Sequence, residues 1–182
     1  MLIGLTGLAY SGKTTVAEHL KKKHGFKVVS IAGTIKQYAM KYFGLSRRDI
    51  ERKDFHARTI LQGIGEMIRK EIDNDYFLDE IELSYKPKRN IVIDDVRLLN
   101  EAERIKSLGG VIVKINCVNN AYHKTKLTAK HRNHSTEKEI MKIRPSFTIF
   151  HKAGEKESTF RQVDKFIKTA ISQRQNNLQS LS

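Results

Sequence analysis

The chain has 182 residues, of which 39% are hydrophobic, and this is enough for one domain with a single core. Its one cysteine, Cys117, excludes an internal disulfide. No apolar run approaches the roughly 18 residues of a membrane span, and the N-terminus lacks the basic segment of a signal peptide. We therefore expect a cytoplasmic protein without a membrane partner. The net charge of +14 favours a polyanionic partner, which is either nucleic acid or a small molecule with several phosphates.

A glycine-rich motif follows the first predicted strand. Residues 2–6 are an apolar run typical of a buried strand, residues 15–24 are predicted to be a helix, and the intervening Gly7-Leu-Ala-Tyr-Ser-Gly-Lys-Thr14 fits Gly-x-x-x-x-Gly-Lys-Ser/Thr. In such a loop the backbone N–H groups and the positive end of the helix dipole converge on a phosphate. Lys13 is predicted to bring its charge to the β- and γ-phosphates of ATP, and the Thr14 hydroxyl is placed for Mg2+. The predicted ATP-binding residues are Gly7, Ala9, Tyr10, Ser11, Gly12, Lys13, Thr14 and Thr15.

An amphipathic helix is predicted over residues 54–73, after a second strand at residues 27–31 and a helix at residues 33–43. The apolar face of this helix consists of Ile60, Leu61, Ile64, Met67, Ile68 and Ile72. The opposite face carries Arg58, Gln62, Glu66 and Arg69. Gly63 and Gly65 each cost roughly 1 kcal/mol in a helix interior, which predicts that another backbone or a ligand comes close. The alternative is a solvated polar stripe with internal ion pairs.

The third predicted strand, residues 90–97, ends in two acids and an arginine, which are Asp94, Asp95 and Arg97. Open α/β sheets bind ligands at the carboxyl ends of their strands. A carboxylate at this position can hold Mg2+ directly or through water, and an arginine can bind a phosphate with two parallel hydrogen bonds. The alternative interpretation is a turn with a local Asp–Arg pair.

A basic segment occupies residues 119–144, where seven Lys or Arg and three His accompany only two Glu. This composition predicts a mobile basic lid, in which Arg132 is the candidate for a residue that reaches the transferred phosphate. The spacing of Cys and His here is irregular and only one cysteine is present, which argues against a zinc site. The residues concerned are Cys117, His123, His131 and His134.

Strands and helices alternate to the end of the chain. A helix is predicted at residues 100–108, strands at 111–115 and 147–150, a helix at 158–170, and a tail from residue 172 that we expect to fray. This alternation predicts a single α/β domain over residues 1–182, a three-layer P-loop fold with a five-stranded parallel sheet. A helical insertion at residues 33–85 and the basic lid flank the glycine-rich loop, which is the layout of a small phosphotransferase that closes over a second substrate.

Three further stretches resemble a known family. Leu61-Gln-Gly-Ile-Gly-Glu-Met-Ile-Arg69 is similar to Leu-Gln-x-x-Gly-x-Glu-x-x-Arg, with Gly and Glu one place closer together. Asp95-Val-Arg-Leu-Leu-Asn-Glu101 resembles Asp-Val-Arg-x-x-Asn-Glu, and His134-Ser-Thr-Glu137 resembles His-x-Ser-Glu with a small shift. These are motifs of the nucleoside monophosphate kinases and, more narrowly, of the deoxynucleoside monophosphate kinases known chiefly from bacteriophages. The resemblance spans most of residues 1–170.

The resemblance implies transfer of the γ-phosphoryl group of ATP to a nucleoside or deoxynucleoside monophosphate, with Mg2+. Lys13, Arg97 and Arg132 would then be catalytic, and Thr14 and Asp94 would hold the metal. The substrate-binding residues would be Gln62, which reads the acceptor base, together with Arg69, Asp95 and Arg97.

Two departures from the family leave the donor preference open. Cys117-Val-Asn-Asn120 stands where an arginine is expected after strand four, and Phe150-His-Lys-Ala-Gly154 stands where Asn-x-Gly is expected after strand five. A related kinase for another phosphorylated metabolite, of the dephospho-coenzyme A or phosphomevalonate type, is therefore an alternative. The second alternative, a non-enzymatic basic P-loop module that binds nucleic acid, explains the charge but not the Gln62 and Arg69 face, and it is less favoured. A homodimer is compatible with the sequence.

Overall fold

The structure is a computed structural model that describes residues 1–52, 55–78, 89–120 and 135–179, with side chains as far as residue 172. The strands are β1 (Leu2–Thr6), β2 (Lys27–Val29), β3 (Ile91–Val96), β4 (Val111–Cys117) and β5 (Phe147–His151). The helices are α1 (Lys13–His24), α2 (Gly33–Phe43), α3 (Arg47–Arg52), α4 (Phe55–Glu71), α5 (Leu99–Ser107), α6 (Ser135–Ile140) and α7 (Lys156–Gln179). None of the helices in these ranges is long and apolar enough to cross a membrane.

The strands form one parallel five-stranded sheet in the order β2-β3-β1-β4-β5. The central position of β1 is shown by Ile3, which pairs with Val92 on one side and with Val111 on the other. Because all strands run the same way, the carboxyl ends of β1, β3 and β4 lie together at one edge. The predicted five-stranded α/β sheet is confirmed, and its order places the glycine-rich loop between the ends of β3 and β4.

Each face of the sheet is covered by helices, because alternate residues of a strand point to opposite faces. On one face, Leu2, Ile91 and Ile112 are buried in a core that includes residues of α2, α4 and α5. On the other face, Ile3 and Val92 are buried with residues of α1 and α7. The near-continuous apolar runs of the strands are explained by this burial on both faces. The predicted three-layer arrangement is confirmed.

The second face also contains a polar seam between α1 and α7. Asp164 of α7 accepts hydrogen bonds from His19 Nε2 at 2.8 Å, from His24 Nε2 at 2.7 Å and from Lys23 Nζ at 2.7 Å. Burial alone would raise the pKa of Asp164, but the hydrogen bonds from Lys23, His24 and His19 outweigh it and hold that pKa well below its usual range. The seam therefore joins the two helices most firmly when Asp164 is ionised.

Some boundaries differ from the sequence prediction. Strand β2 ends at Val29 rather than at Ile31, because the backbone N–H of Ile31 turns to a side chain of β3. Helix α7 continues to Gln179, past the predicted start of a frayed tail at residue 172, through a stretch rich in Gln, a good helix former. Residues 79–88 of the predicted insertion and residues 121–134 of the predicted lid, including Arg132, lie outside the described part of the chain.

The two glycines of α4 differ. A Cβ at Gly65 would lie 3.1 Å from Ile35 Cδ1 of α2 and 3.1 Å from Arg69 Nη1, so side chains, and not the predicted backbone or ligand, come close there. At Gly63 no described atom lies within 4 Å of such a Cβ, so no described backbone comes close, and the approach of a ligand there stays a prediction. The glycine at position 65 thus lets α4 pack against α2, and this packing sets the position of the polar face of α4.

Candidate active site

The loop between β1 and α1 is shaped by residues with positive φ. Gly7 has φ of 138°, and a Cβ there would collide with the backbone carbonyl of Ile115 in β4. Gly12 (φ 94°) and Tyr10 (φ 62°) also adopt left-handed conformations, which the loop requires in order to turn back on itself. Helix α1 begins directly afterwards without a side-chain cap. Its first N–H groups therefore remain available to an anion.

Lys13 lies inside this loop and is only 8% exposed. Its Nζ donates hydrogen bonds to the carbonyl oxygens of Gly7 at 2.7 Å and Leu8 at 2.9 Å. The pKa of Lys13 is lowered to about 7, chiefly by burial and also by the charge of Arg97, while nearby carboxylates oppose this lowering. A phosphate bound by the loop would add negative charge beside Nζ and favour the charged form.

The two aspartates at the end of β3 have different surroundings. Asp95 accepts hydrogen bonds from Ser30 Oγ at 2.7 Å, from the Ile31 N–H at 2.8 Å and from the Ala32 N–H at 2.9 Å. Both of its carboxylate oxygens are engaged by the segment that leads into α2. These contacts fix the entrance to the helical insertion, and the role of Asp95 in binding the acceptor stays a prediction.

Asp94 is the neighbouring carboxylate that remains open. Its Oδ1 is buried and has no hydrogen-bond partner among the described residues. The pKa of Asp94 is raised to about 6, chiefly by burial and also by the charge of Asp95, while the charges of Lys36 and Lys13 oppose the rise. A buried carboxylate oxygen without a donor fits a cation, and Thr14 presents an exposed hydroxyl in the first turn of α1. The residues predicted to hold Mg2+ therefore suit a hard cation.

Arg97 is held by a carboxylate from α6. Its Nη1 lies 2.9 Å from Oε1 of Glu137, whose side chain is only 2% exposed. The other oxygen of Glu137 accepts the N–H of Ala9 in the glycine-rich loop at 3.4 Å. Sequence reasoning did not assign Glu137 to the site, although the His-x-Ser-Glu resemblance contained it and could have pointed to it.

Arg69 is held by a second buried carboxylate. Its Nη2 lies 3.2 Å from Oε1 of Glu101, and its guanidinium lies 4.8 Å from the centre of the Phe77 ring. The other oxygen of Glu101 accepts the N–H groups of Arg97 at 2.8 Å and Leu98 at 3.0 Å, as a glutamate in the first turn of α5 can do. Burial raises the pKa of Glu101, and these partners oppose the rise. Arg69 and the backbone of Arg97 thus meet at one carboxylate, which the sequence analysis did not assign either.

The polar face of α4 contacts the site. Arg58 Nη2 approaches the Tyr10 hydroxyl at 3.4 Å, with its guanidinium 5.6 Å from the centre of the ring, and Glu66 accepts a hydrogen bond from Ser135 of α6 at 3.3 Å. Gln62 lies on the same face and is half-buried, and no described residue hydrogen-bonds to its side chain. This face is therefore not the merely solvated stripe that the sequence allowed.

A cavity of about 180 Å3 adjoins the other side of the loop. Its lining includes Tyr10, Gly12, Thr15, Cys117, Asn120, His151 and Gly154. His151 Nε2 lies 2.7 Å from the carbonyl oxygen of Ser11, and Asn120 Nδ2 donates to the carbonyl oxygen of Ala9 at 2.9 Å. Both departures from the family motifs therefore line this one cavity.

A known protein family matches the part of the chain that forms this site. The AAA domain family matches residues 3–141, a range that includes the glycine-rich loop, Asp94, Arg97 and Glu137. The chain belongs to the AAA-domain family of P-loop kinases. This P-loop kinase is also 35% identical over 141 residues to a protein of Acanthamoeba polyphaga mimivirus that is provisionally named a deoxynucleotide monophosphate kinase. That alignment covers 63% of this chain and 73% of the viral protein.

Solved structures with the same fold include two shikimate kinases. Shikimate kinase from Aquifex aeolicus superposes with a TM-score of 0.51 at 16% identity, covering 94% of this chain and 98% of that one. Shikimate kinase from Acinetobacter baumannii, solved with shikimate, has a TM-score of 0.51 and 16% identity, with 94% and 93% coverage. At this identity the likeness shows the fold alone. Family and fold together make this P-loop kinase an ATP-dependent phosphotransferase.

Proposed function

We propose that this P-loop kinase transfers the γ-phosphoryl group of ATP to a nucleoside or deoxynucleoside monophosphate. The observation that carries the proposal is the arrangement of Arg69 and Arg97. The Arg69 guanidinium and the Arg97 backbone N–H bind the same carboxylate, Glu101, and the Arg97 guanidinium pairs with Glu137, which also accepts the N–H of Ala9 in the P-loop. Two guanidiniums at one edge suit an acceptor that carries its own phosphate. The name of the mimivirus relative supports a deoxynucleotide as that acceptor.

Each end of the acceptor has candidate groups on this chain. Arg97 and Arg69 would bind its phosphate, and Gln62 would bind its base, because an amide offers both a donor and an acceptor to a base edge. Arg58, which lies against Tyr10, links the same helix face to the P-loop. Helix α4 would therefore set the distance between the acceptor base and the donor phosphates. The base of ATP would occupy the cavity beside His151 and Asn120. The two segments that depart from the family motifs would then determine which donor nucleotide is preferred.

The chemistry requires positioning and neutralisation of charge. An oxygen of the ionised acceptor phosphate attacks the γ-phosphorus, the bond from that phosphorus to the β–γ bridging oxygen breaks, and ADP and a nucleoside diphosphate result. Because the acceptor is already ionised, no general base is needed. The loop N–H groups and Lys13 would stabilise the donor, Arg97 the acceptor, and Arg132 of the lid the transferred group. Thr14 and Asp94 would hold Mg2+, which supplies positive charge to the β- and γ-phosphates when bound.

The surroundings of the activity are part of the proposal. We also propose a cytoplasmic location, which the use of ATP and the single cysteine, Cys117, support. Nucleotides are the expected partners, nucleic acid is the less favoured one, and a homodimer remains a prediction that gel filtration can measure.

A substrate panel tests the proposal. The protein is incubated with Mg2+-ATP and, separately, with each common ribonucleoside and deoxyribonucleoside monophosphate, with dephospho-coenzyme A and with phosphomevalonate, and the products are separated by ion-exchange chromatography. We expect at least one nucleoside diphosphate to accumulate, and Lys13→Ala serves as the inactive control. Turnover of dephospho-coenzyme A or phosphomevalonate without any nucleoside diphosphate would replace the proposed acceptor with that metabolite.

A further inference from the structure

Glu137 is a buried carboxylate beside the P-loop to which the proposed mechanism gives no task. It lies in α6, directly after residues 121–134 of the predicted lid, and its side chain is 2% exposed. Burying an ionised carboxylate costs several kcal/mol unless it is paired and hydrogen-bonded. The contacts that the buried carboxylate of Glu137 makes are therefore the place to look for its role.

The contact with Arg97 leaves the arginine open to a ligand. A guanidinium has five N–H donors in a rigid fork, and Glu137 takes one from Nη1 at 2.9 Å. No described residue accepts from Nε or Nη2 of Arg97, and the arginine side chain is 32% exposed. Glu137 therefore fixes the plane of the fork while the remaining donors stay available to a phosphate.

The second contact of Glu137 reaches the donor side. Oε2 lies 3.4 Å from the N–H of Ala9, inside the loop that binds the donor phosphates. The same carboxylate is near enough to Lys13 to favour its charged form. One side chain thus spans the donor loop and the arginine assigned to the acceptor. Glu101 makes a parallel arrangement for Arg69, but it reaches no P-loop residue in the described contacts.

We infer that Glu137 is a positioning residue, which holds Arg97 at a set distance from Ala9 so that the acceptor phosphate lies in line with the donor. The inference rests on the proposed function, since it concerns alignment of two phosphorylated substrates. It extends that proposal by giving a defined task to α6, which is a described part of the predicted lid. A purely structural Glu137 would stabilise the fold without acting on one substrate more than the other.

The test compares Glu137→Gln with a matched control on the same helix. Glu139→Gln removes a charge two positions away, where Glu139 accepts the N–H of Leu99 at 3.3 Å. We expect Glu137→Gln to raise the KM for the monophosphate and lower kcat, reducing kcat/KM about tenfold to a hundredfold, because small misplacements of a reacting group cost that much. The KM for ATP and the Tm of folded protein serve as internal controls, and Glu139→Gln should change kcat/KM less than about threefold.

A double-mutant cycle with Arg97 separates positioning from general damage. If Glu137 acts through Arg97, then Glu137→Gln costs little further activity, less than about threefold, in an Arg97→Ala background. Equal losses in both backgrounds would overturn the inference, as would equal increases in both KM values. A higher kcat or tighter monophosphate binding in Glu137→Gln would also overturn the inference, because Glu137 would then hinder the reaction in the wild-type protein. Should Glu137→Gln fail to fold, Glu137→Asp keeps the charge, shortens the reach, and is expected to show the same selective loss.

Failure of the inference and failure of the proposed function are distinguishable. Wild-type turnover on the substrate panel tests the function first, and a Glu137→Gln variant that then behaves like Glu139→Gln overturns the positioning role alone. If no monophosphate is turned over, inorganic phosphate is titrated calorimetrically into protein saturated with ADP. Weaker phosphate binding by both Glu137→Gln and Arg97→Ala supports the positioning role, and wild-type affinity in Glu137→Gln overturns it.

Discussion

Replacement of Arg97 by lysine is the sharpest test of the acceptor site. Lysine retains the positive charge but has one compact ammonium group in place of a planar fork. In the structure the fork binds Glu137 through Nη1 and leaves Nε and Nη2 without a described acceptor. A lysine ammonium cannot keep both the Glu137 contact and a two-point grip on a phosphate. The expected loss is therefore one charge-assisted hydrogen bond in the complex with the acceptor.

The magnitude follows from the value of such a bond. A hydrogen bond to a charged group contributes about 1.5–3 kcal/mol, which corresponds to roughly a tenfold to a 150-fold loss in kcat/KM for the monophosphate. Steady-state kinetics with each substrate varied in turn should show a higher KM for the monophosphate and a lower kcat, because a loosely held acceptor misaligns the attack. The KM for ATP should change far less, since the P-loop holds the donor separately.

A matched control strengthens the measurement. Arg47→Lys on the exposed surface of α3 makes the same chemical change at a side chain that pairs with Glu51 of its own helix, and it should leave both KM values unaltered. If Arg97→Lys weakens ATP and leaves the monophosphate untouched, Arg97 serves the donor and the acceptor site has been misplaced.

Three further predictions concern charge, selectivity and stability. Lys13→Ala should lower kcat by at least about 10²-fold to 10³-fold with an unchanged circular dichroism spectrum, because charge stabilisation in the transition state is lost; near-normal transfer would refute the P-loop assignment. Gln62→Ala should alter the ratios of kcat/KM among monophosphates more than ATP affinity, and a uniform loss or none would mean that Gln62 does not read the base. Asp164→Asn should lower the free energy of unfolding at neutral pH by about 2 kcal/mol, because Asp164 loses its charge towards His19 and Lys23. The pKa of Asp164 is lower in the folded protein than the unfolded value of about 3.9, so this stabilisation is fully present above about pH 3.9 and is lost as the pH falls through the folded pKa. The Tm values of wild type and variant should therefore converge in acid, and a difference in Tm that stays constant with pH would contradict the reasoning.

The local motifs could be predicted from the sequence because each is contiguous. The P-loop needs only a strand, glycines at two positions and a helix start, and the structure shows left-handed Gly7 and Gly12 followed by α1 at Lys13. The amphipathic pattern of α4 likewise predicted a buried face with Ile64 and Ile68. The alternation of strands and helices was sufficient to predict a parallel sheet, because parallel strands must be joined by crossover connections, which are usually helices.

The partners of the charged side chains could not be predicted, because they are joined by packing and not by spacing. Asp94 and Asp95 are neighbours of the same type, yet Asp95 is engaged by the entrance to α2 while Asp94 Oδ1 is left without a donor. Residues 40 apart, Arg97 and Glu137, form an ion pair only because α6 packs beside the end of β3.

The sequence by itself therefore determined the fold class and the donor loop of this P-loop kinase, because strand–loop–helix signals are local and repeat along the chain. Only the tertiary structure decided which carboxylates hold Arg69 and Arg97 and which one remains open to a cation. The physical reason is that a buried charge must find its partner wherever the folded chain supplies one, and that choice depends on contacts between distant segments.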